Sequence, residues 1–166
     1  MSTANFTLDE IDRRLLDLLQ QDAQITNAAL ARELGMAPSA VLERVRKLEE
    51  RKVILGYEAR LNPAALGWGL AAFVFVRAEE QLGSRETAVR LAQIPEVQEV
   101  HNIAGEDCYL VKLRVTDTTA LASLLRNEFG RIETIKSTRT TIVLETVKEQ
   151  ATLPVKERSG RVGGHV

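Results

Sequence analysis

Hydrophobic residues at the start of the chain recur every three or four positions, which is the spacing of one helix face. The series consists of Leu8, Ile11, Leu15, Leu18 and Leu19. It predicts an amphipathic helix that ends near Gln21. Thr7 comes just before the series, and we expect its hydroxyl to form a capping box with Glu10.

Residues 26–48 predict two further short helices joined by a tight turn. Thr26 is a good N-cap, because its hydroxyl accepts a hydrogen bond from a backbone N–H of the first turn. Gly35 suits a left-handed residue that ends the first helix, and Pro38 suits the first turn of the second. Helices this close in sequence must cross steeply. The pattern therefore predicts a helix-turn-helix inside a three-helix unit over residues 7–52.

The second of these helices has two neighbouring faces. The core face carries Val41, Val45 and Leu48. The stripe beside it carries Ala40, Arg44, Lys47 and Arg51. Small residues near the helix start allow close approach to base edges, and Arg44 and Lys47 can reach bases or phosphates. A second interpretation stays open, in which these cations face solvent and pair with Glu43, Glu49 and Glu50.

The charge of the whole chain does not by itself indicate nucleic acid. The 166 residues include 22 Lys and Arg against 23 Asp and Glu, for a net charge of -1. One helix per chain offers few phosphate contacts, whereas two copies on successive major grooves offer more. The DNA hypothesis therefore predicts a dimer.

Residues 68–147 alternate strand and helix patterns. We expect strands at 70–78, 97–104, 108–115 and within 132–147, with helices from Ser84 to Ile94 and from Thr118 to Phe129. The order β-α-β-β-α-β predicts four antiparallel strands with two helices on one face. Together with the N-terminal helices, this makes the fold class α+β.

The first of these strands is apolar on both faces. Ala72, Val74 and Val76 share one face, and the other carries Ala71, Phe73 and Phe75. The helices cover only one face of the sheet, so the other predicts packing against a second copy of the chain. An alternative also stays open, in which this strand simply lies in a central, well-covered position.

Other features bear on location and chemistry. A single Cys excludes an intrachain disulfide and fits a reducing compartment. The N-terminus has no secretory apolar region, and no apolar run is long enough to span a membrane, so we predict a cytoplasmic protein. His101 and His165 are the only histidines, and no metal-ligand spacing, phosphate loop or nucleophile–base pair is present. We predict a protein that is not an enzyme and uses no metal or cofactor.

With these residues in view, the chain resembles the Lrp/AsnC (feast/famine) family of transcription regulators. The resemblance runs from about Leu8 to Glu149, through LDEIDRRLLDLLQQDAQITNAALARELGM, VLERVRKLEERKVILGY, LNPAALG and STRTTIVLETVKE. It implies a (winged) helix-turn-helix DNA-binding domain and a C-terminal ferredoxin-like, RAM-type domain that oligomerises and binds small effectors, usually amino acids. It also implies dimers, which often assemble as four dimers into an octamer.

The resemblance implies four segments. A DNA-binding domain covers 7–60, a linker 61–67, an effector-binding and oligomerisation domain 68–147, and a C-terminal tail 148–166. Residues expected to contact DNA are Asn27, Ser39, Ala40, Arg44, Lys47 and Arg51. Relatives usually have Ser or Thr where this chain has Ala37, and losing an N-cap costs typically ~1 kcal/mol.

The family's effector loop has the pattern Gly-acidic-aromatic-Asp-aromatic, which here reads Gly105, Glu106, Asp107, Cys108 and Tyr109. Asp107 replaces an aromatic residue, and Cys108 replaces the usual Asp. The resemblance also places Lys136 and Thr138 on the opposite wall of the pocket, with His101 nearby. The alternative is that Glu106 and Asp107 are ordinary turn residues.

Two other functions of the same architecture remain open. One is a DNA-organising protein without a ligand, since the effector loop departs from the family pattern. The other is an enzyme similar to the sirohaem decarboxylases, for which His101 is the only supporting residue. The basic, glycine-containing tail 148–166 has three open placements: disordered, on a neighbouring subunit, or on DNA.

Overall fold

The computed structural model describes residues 7–81 and 83–155. These residues divide into two compact units. One unit consists of 61–149, and the other combines 7–60 with the segment 150–155. The sequence left the placement of the tail 148–166 open. Residues 150–155 of that tail belong to the unit that contains the N-terminal helices.

The N-terminal unit, which consists of 7–60 and 150–155, contains three helices: α1 (Glu10–Gln21), α2 (Asn27–Leu34) and α3 (Pro38–Glu50). Their apolar faces meet in one cluster whose fully buried members include Leu15, Leu30, Val41 and Leu48. This cluster confirms the helical periodicity of the sequence and the core face predicted for α3.

Local sequence predicted the caps of α2 correctly but not the N-cap of α1. The Thr26 hydroxyl caps α2 by accepting from the N–H of Ala29 at 3.2 Å, and Gly35 ends that helix with φ 65°, both as predicted. The capping box of α1 was predicted wrongly. Its N-cap is Asp9, whose carboxylate accepts from the Asp12 N–H at 2.7 Å. Two carboxylates at a helix start also complement the helix dipole, which favours this pair.

Helix α3 begins as predicted, with Pro38 in its first turn and no side-chain cap from Ala37. The resemblance implied a winged domain, but residues 53–61, which are rich in β-forming residue types, form no strand in the described chain. Leu55 and Leu61 there are 88% and 69% exposed. A β-forming sequence without a partner strand has no ladder to join.

The second unit confirms the predicted β-α-β-β-α-β order. Its elements are β1 (Leu70–Ala78), α4 (Glu86–Ala92), β2 (Val97–Asn102), β3 (Tyr109–Val115), α5 (Thr118–Asn127) and β4 (Ile135–Ile142). The strands form one antiparallel sheet in the order β2-β3-β1-β4. Asp117 caps α5 by accepting from the Ala120 N–H at 2.8 Å.

The core of this unit lies on one face of the sheet. Ala72, Val74 and Val76 of β1 are fully buried there. On the opposite face of the same strand, Phe73 and Phe75 are only partly buried. The second apolar face predicted from the sequence is therefore present, and its two phenylalanines keep part of their surface accessible.

Candidate DNA-binding surface and effector site

Helix α3 presents an exposed surface beside its buried stripe. Ser39 and Lys47 are exposed, Ala40 is half-buried, and Asn27 at the start of α2 is exposed. Small side chains at the helix start and a cation two turns later are the layout that a major-groove helix uses. The structure therefore places these predicted residues in one unit.

Two cations of α3 are paired with carboxylates of the same helix. The Lys47 ammonium lies 3.4 Å from Glu43, and the Arg46 guanidinium lies 3.1 Å from Glu50. Exposed pairs at this helical spacing contribute little, about 0.3–0.5 kcal/mol. The solvent-paired interpretation therefore describes Lys47, which pairs with Glu43, and a phosphate can replace such a partner at small cost.

Arg44 has a different partner from the one predicted. Its Nη1 donates to the carboxylates of Asp9 and Asp12, in both cases at 2.7 Å. The Arg44 side chain is only 28% exposed, and that of Asp12 is 10% exposed. The guanidinium therefore links α3 to the first turn of α1. Direct contact of Arg44 with DNA stays a prediction.

Asp9 and Arg44 each favour the charged form of the other. The backbone N–H of Asp12, followed by the Arg44 guanidinium, lowers the pKa of the Asp9 carboxyl. Hydrogen bonds to Asp9 and Asp12 raise the pKa of Arg44. The available sequence signal was the pair of carboxylates three residues apart at the start of α1, which can attract a cation from another helix.

The predicted effector loop is the hairpin turn between β2 and β3. Gly105 has φ 140°, a conformation that favours glycine, and the Ile103 N–H donates to the Cys108 carbonyl at 3.0 Å to close the turn. Gly105 and Glu106 are exposed. The backbone N–H groups and carboxylate here remain accessible, as an amino-acid ligand requires.

The Asp107 carboxylate is paired within the chain. It accepts from Nη2 of Arg139 on β4 at 2.9 Å, and the same guanidinium lies 4.0 Å above the ring of Phe75. Arg139 was not among the residues predicted for this site. The available signal was strand alternation, because Arg139 and Phe75 are register partners on the same face.

Cys108 and Tyr109 serve the fold. The Cys108 thiol donates to the Ala78 carbonyl at 3.3 Å, and the Tyr109 hydroxyl donates to the Glu80 carboxylate. Tyr109 is 3% exposed, and burial, followed by the bond to Glu80, raises its pKa to about 12. The structure thus places both predicted effector residues in internal contacts.

The remaining predicted effector residues lie at opposite edges of the sheet. His101 is on β2 and bonds Glu99 at 3.0 Å, while Lys136 and Thr138 are on β4, with Lys136 3.6 Å from Glu79. Because β3 and β1 separate these strands, the gap is roughly 14 Å at ~4.8 Å per strand. One chain does not gather them around a single amino acid.

One cavity of the C-terminal unit lies away from the predicted effector loop. A shallow cavity of about 650 Å³ is lined by Glu79, Glu80, Gln81, Ser84, Glu86 and Thr134. Its residues are not those of the predicted loop, and Glu80 already accepts from Tyr109. Across residues 7–81 and 83–155, no cluster of His, Cys, Asp and Glu could hold a metal ion, and no helix is long and apolar enough to cross a membrane.

Comparisons with known proteins agree with this two-part architecture. Residues 8–49 match the AsnC-type helix-turn-helix domain, and residues 71–153 match the Lrp/AsnC ligand binding domain. The leucine-responsive regulatory protein of Escherichia coli (strain K12) is 39% identical over 155 residues, which cover 91% of this chain and 93% of that protein.

Solved structures are similar in fold. The feast or famine regulatory protein of M. tuberculosis, complexed with L-methionine, is 37% identical with a TM-score of 0.81, covering 89% of this chain and 99% of that one. A transcriptional regulator of Neisseria meningitidis in complex with L-methionine is 27% identical with a TM-score of 0.84, covering 90% and 97%.

These matches span both units and agree with the helix-turn-helix and the four-stranded sheet described above. The chain belongs to the Lrp/AsnC family, and it is a DNA-binding transcription regulator with an AsnC-type helix-turn-helix domain and an Lrp/AsnC ligand-binding domain.

Proposed function

We propose that this regulator reads DNA as a homodimer through the exposed face of α3 and that an amino acid bound to its C-terminal domain changes that reading. The observation that carries the proposal is the exposed surface of α3, where Ser39, Ala40 and Lys47 lie beside a fully buried stripe. A helix anchored in this way presents a constant set of side chains to a groove.

The DNA contacts divide into two kinds. Ser39 and Ala40 are small enough to bring the start of α3 against base edges, where sequence is read. Lys47, Arg51 and Asn27 supply positioning contacts to phosphates. Arg44 fixes the position of α3 relative to α1 through its bonds to Asp9 and Asp12.

The dimer forms through the sheet face opposite the helices. Phe73 and Phe75 lie on that face, and the Arg139 guanidinium covers the Phe75 ring. A second copy of the same face would bury these rings and would place two copies of α3 in one assembly. Four such dimers form the octamer that the family resemblance implies.

The effector site lies at the Gly105–Tyr109 loop and is completed by a neighbouring subunit. Gly105 and Glu106 are accessible, while His101 and Thr138 lie too far apart in one chain to share a ligand. The complexes of two relatives with L-methionine support an amino acid as the ligand. The ammonium of an amino acid can pair with the Asp107 carboxylate, and its carboxylate can pair with the Arg139 guanidinium. The ligand would then take the place of the ion pair between these two side chains.

The protein acts without catalysis, in the cytoplasm, where its DNA lies. The supporting observation is membership of a regulator family. A decarboxylase acting on a tetrapyrrole would instead bind that pigment, so an absorption spectrum of the purified protein incubated with sirohaem discriminates between the two.

The direct test is fluorescence anisotropy with a labelled fragment of the gene's own upstream region and an unrelated fragment of equal length. We expect preference for the upstream fragment, and a changed affinity on adding L-methionine, L-leucine or a pool of the twenty amino acids. Specific binding that is indifferent to all of them would favour the ligand-free DNA-organising function. Equal affinity for both fragments would contradict sequence-specific regulation.

A further inference from the structure

The DNA-binding unit contains six described residues from the far end of the chain. Residues 150–155 cluster with the N-terminal helices, although more than a hundred residues separate them from α1 in sequence. A segment this distant requires specific contacts to stay in place, because ordering it costs conformational entropy.

The first contact is a reciprocal pair of hydrogen bonds with Gln20, in the last turn of α1. Gln20 Nε2 donates to the Leu153 carbonyl at 3.0 Å, and the Leu153 N–H donates to Gln20 Oε1 at 2.7 Å. One carboxamide thus satisfies both main-chain groups of Leu153, as a neighbouring strand would. The Leu153 side chain is 73% exposed, so this contact recognises main chain and not side chain.

The second contact is apolar. Val155 is partly buried and packs against the core cluster of α1, α2 and α3. Pro154 lies between the two contacts, and a proline restricts the residue before it to extended conformations. Leu153 is therefore held extended even before it docks, which reduces the entropy that docking costs.

The other end of the segment is anchored in the ligand-binding unit. Glu149 accepts from Lys112 Nζ and, at 2.8 Å, from Arg114 Nη2, both on β3. The bond from Lys112, more than any other contact, lowers the pKa of Glu149. Strand β3 follows directly after the predicted effector loop. Only three residues separate Glu149 from Leu153, so one short segment carries an anchor in each unit.

We propose that residues 149–155 form a second tether between the two units, in addition to the linker near residue 60, and that this tether transmits the state of the ligand-binding unit to α1. The inference rests on the proposed function, because it concerns how an effector changes DNA binding. In this mechanism the Gln20–Leu153 bonds and the Val155 contact attach the segment to the N-terminal unit. The bonds of Glu149 attach the same segment to β3.

The test compares two truncations of the full chain. The first ends after Glu149 and removes the docked segment. The second ends after Val155 and is the matched control, because it keeps every contact described above. Hydrogen exchange of the α1 amides and anisotropy with the upstream fragment are measured on both, with L-methionine, L-leucine and the amino-acid pool as probes.

We expect the shorter chain to exchange its α1 amides about fivefold to a hundredfold faster, as loss of two hydrogen bonds and an apolar contact implies. We also expect the amino-acid response of its DNA binding to disappear. The chain that ends after Val155 should behave as the full chain does. Unchanged α1 exchange, or an intact response in the shorter chain, would overturn the tether.

Point variants keep the test valid if truncation impairs folding. Gln20→Ala removes the reciprocal bonds, and Glu149→Gln removes the charge of the second anchor. Gln21→Ala, at an exposed neighbouring position, is the control. Both anchor variants should weaken the amino-acid response, and Gln20→Ala alone should speed α1 exchange. If α1 exchange rises while the full chain shows no response to any amino acid, then the proposed effector function fails and the docking of the segment stands.

Discussion

The Arg44 guanidinium on α3 lies 2.7 Å from the carboxylate of Asp12 on α1, with the two side chains 28% and 10% exposed. This ion pair is half-buried and joins two helices that are far apart in sequence. Breaking such a pair leaves a poorly solvated charge, which costs more than losing a surface pair. The orientation of α3 therefore depends on a contact on the side of the helix that faces α1.

Arg44→Ala should lower the free energy of unfolding of the N-terminal unit by about 1–3 kcal/mol, between the values for surface and buried pairs. It should also weaken specific DNA binding while leaving the oligomer intact. Urea unfolding of Arg44→Ala, Asp12→Ala and the double variant measures the coupling between the two side chains. Additive losses would mean that the pair does not stabilise the unit.

The same variant distinguishes positioning from direct DNA contact. A residue that neutralises one phosphate contributes ~0.9 to the slope of log affinity against log salt. We expect Arg44→Ala to leave this slope unchanged, since its guanidinium faces α1. A slope reduced by about one unit would restore the original prediction that Arg44 contacts the backbone of DNA.

Lys47→Ala should lower affinity for specific and unrelated DNA alike and reduce the salt slope by about one unit, because an exposed ammonium contributes mainly to phosphate contacts. Arg46→Ala is the matched control, since Arg46 is an exposed, paired cation of the same helix outside the predicted face. Anisotropy titrations from low to moderate salt give both slopes. Equal losses in the two variants would contradict the assigned face.

The N-terminal unit should lose stability in acid through Asp9. Its folded pKa lies below the ordinary value of 3.8, so at neutral pH the carboxyl is ionised in both states. As pH falls below about 3.8, the unfolded chain binds the proton first, and the stabilisation disappears as pH passes the folded pKa.

Asp9→Asn isolates this charge, because asparagine is an equally good N-cap. Urea midpoints of the N-terminal unit, measured between pH 7 and pH 3, should fall less steeply in the variant than in the natural chain. Parallel pH profiles would show that the Asp9 charge does not contribute to acid sensitivity.

Phe73→Glu should disrupt the oligomer, because it places a charge on the sheet face that we propose to be buried between two copies. Light scattering after size exclusion gives the mass, and circular dichroism reports whether each chain stays folded. Leu144→Glu is the control, since that side chain is 98% exposed and lies beyond β4. An unchanged oligomer carrying the Phe73 charge would contradict the sheet-to-sheet dimer.

The sequence alone determined the elements and the order in which they occur. Helical periodicity, the Thr26 cap, the left-handed Gly35 and the double apolar face of β1 are local signals, because each of them is visible in a few neighbouring residues. Residue type and spacing were therefore enough to predict the helix-turn-helix, the split β-α-β sheet and, through the family resemblance, a DNA-binding regulator.

Only the tertiary structure decided which side chains meet. Arg44 could face DNA or α1, and helical angle alone did not choose, because a long side chain reaches either side. The pairing of Asp107 with Arg139, and of Gln20 with Leu153, joins residues that are 32 and 133 positions apart. Such contacts depend on how the elements pack together, and that packing is a property of the whole chain that no local pattern encodes.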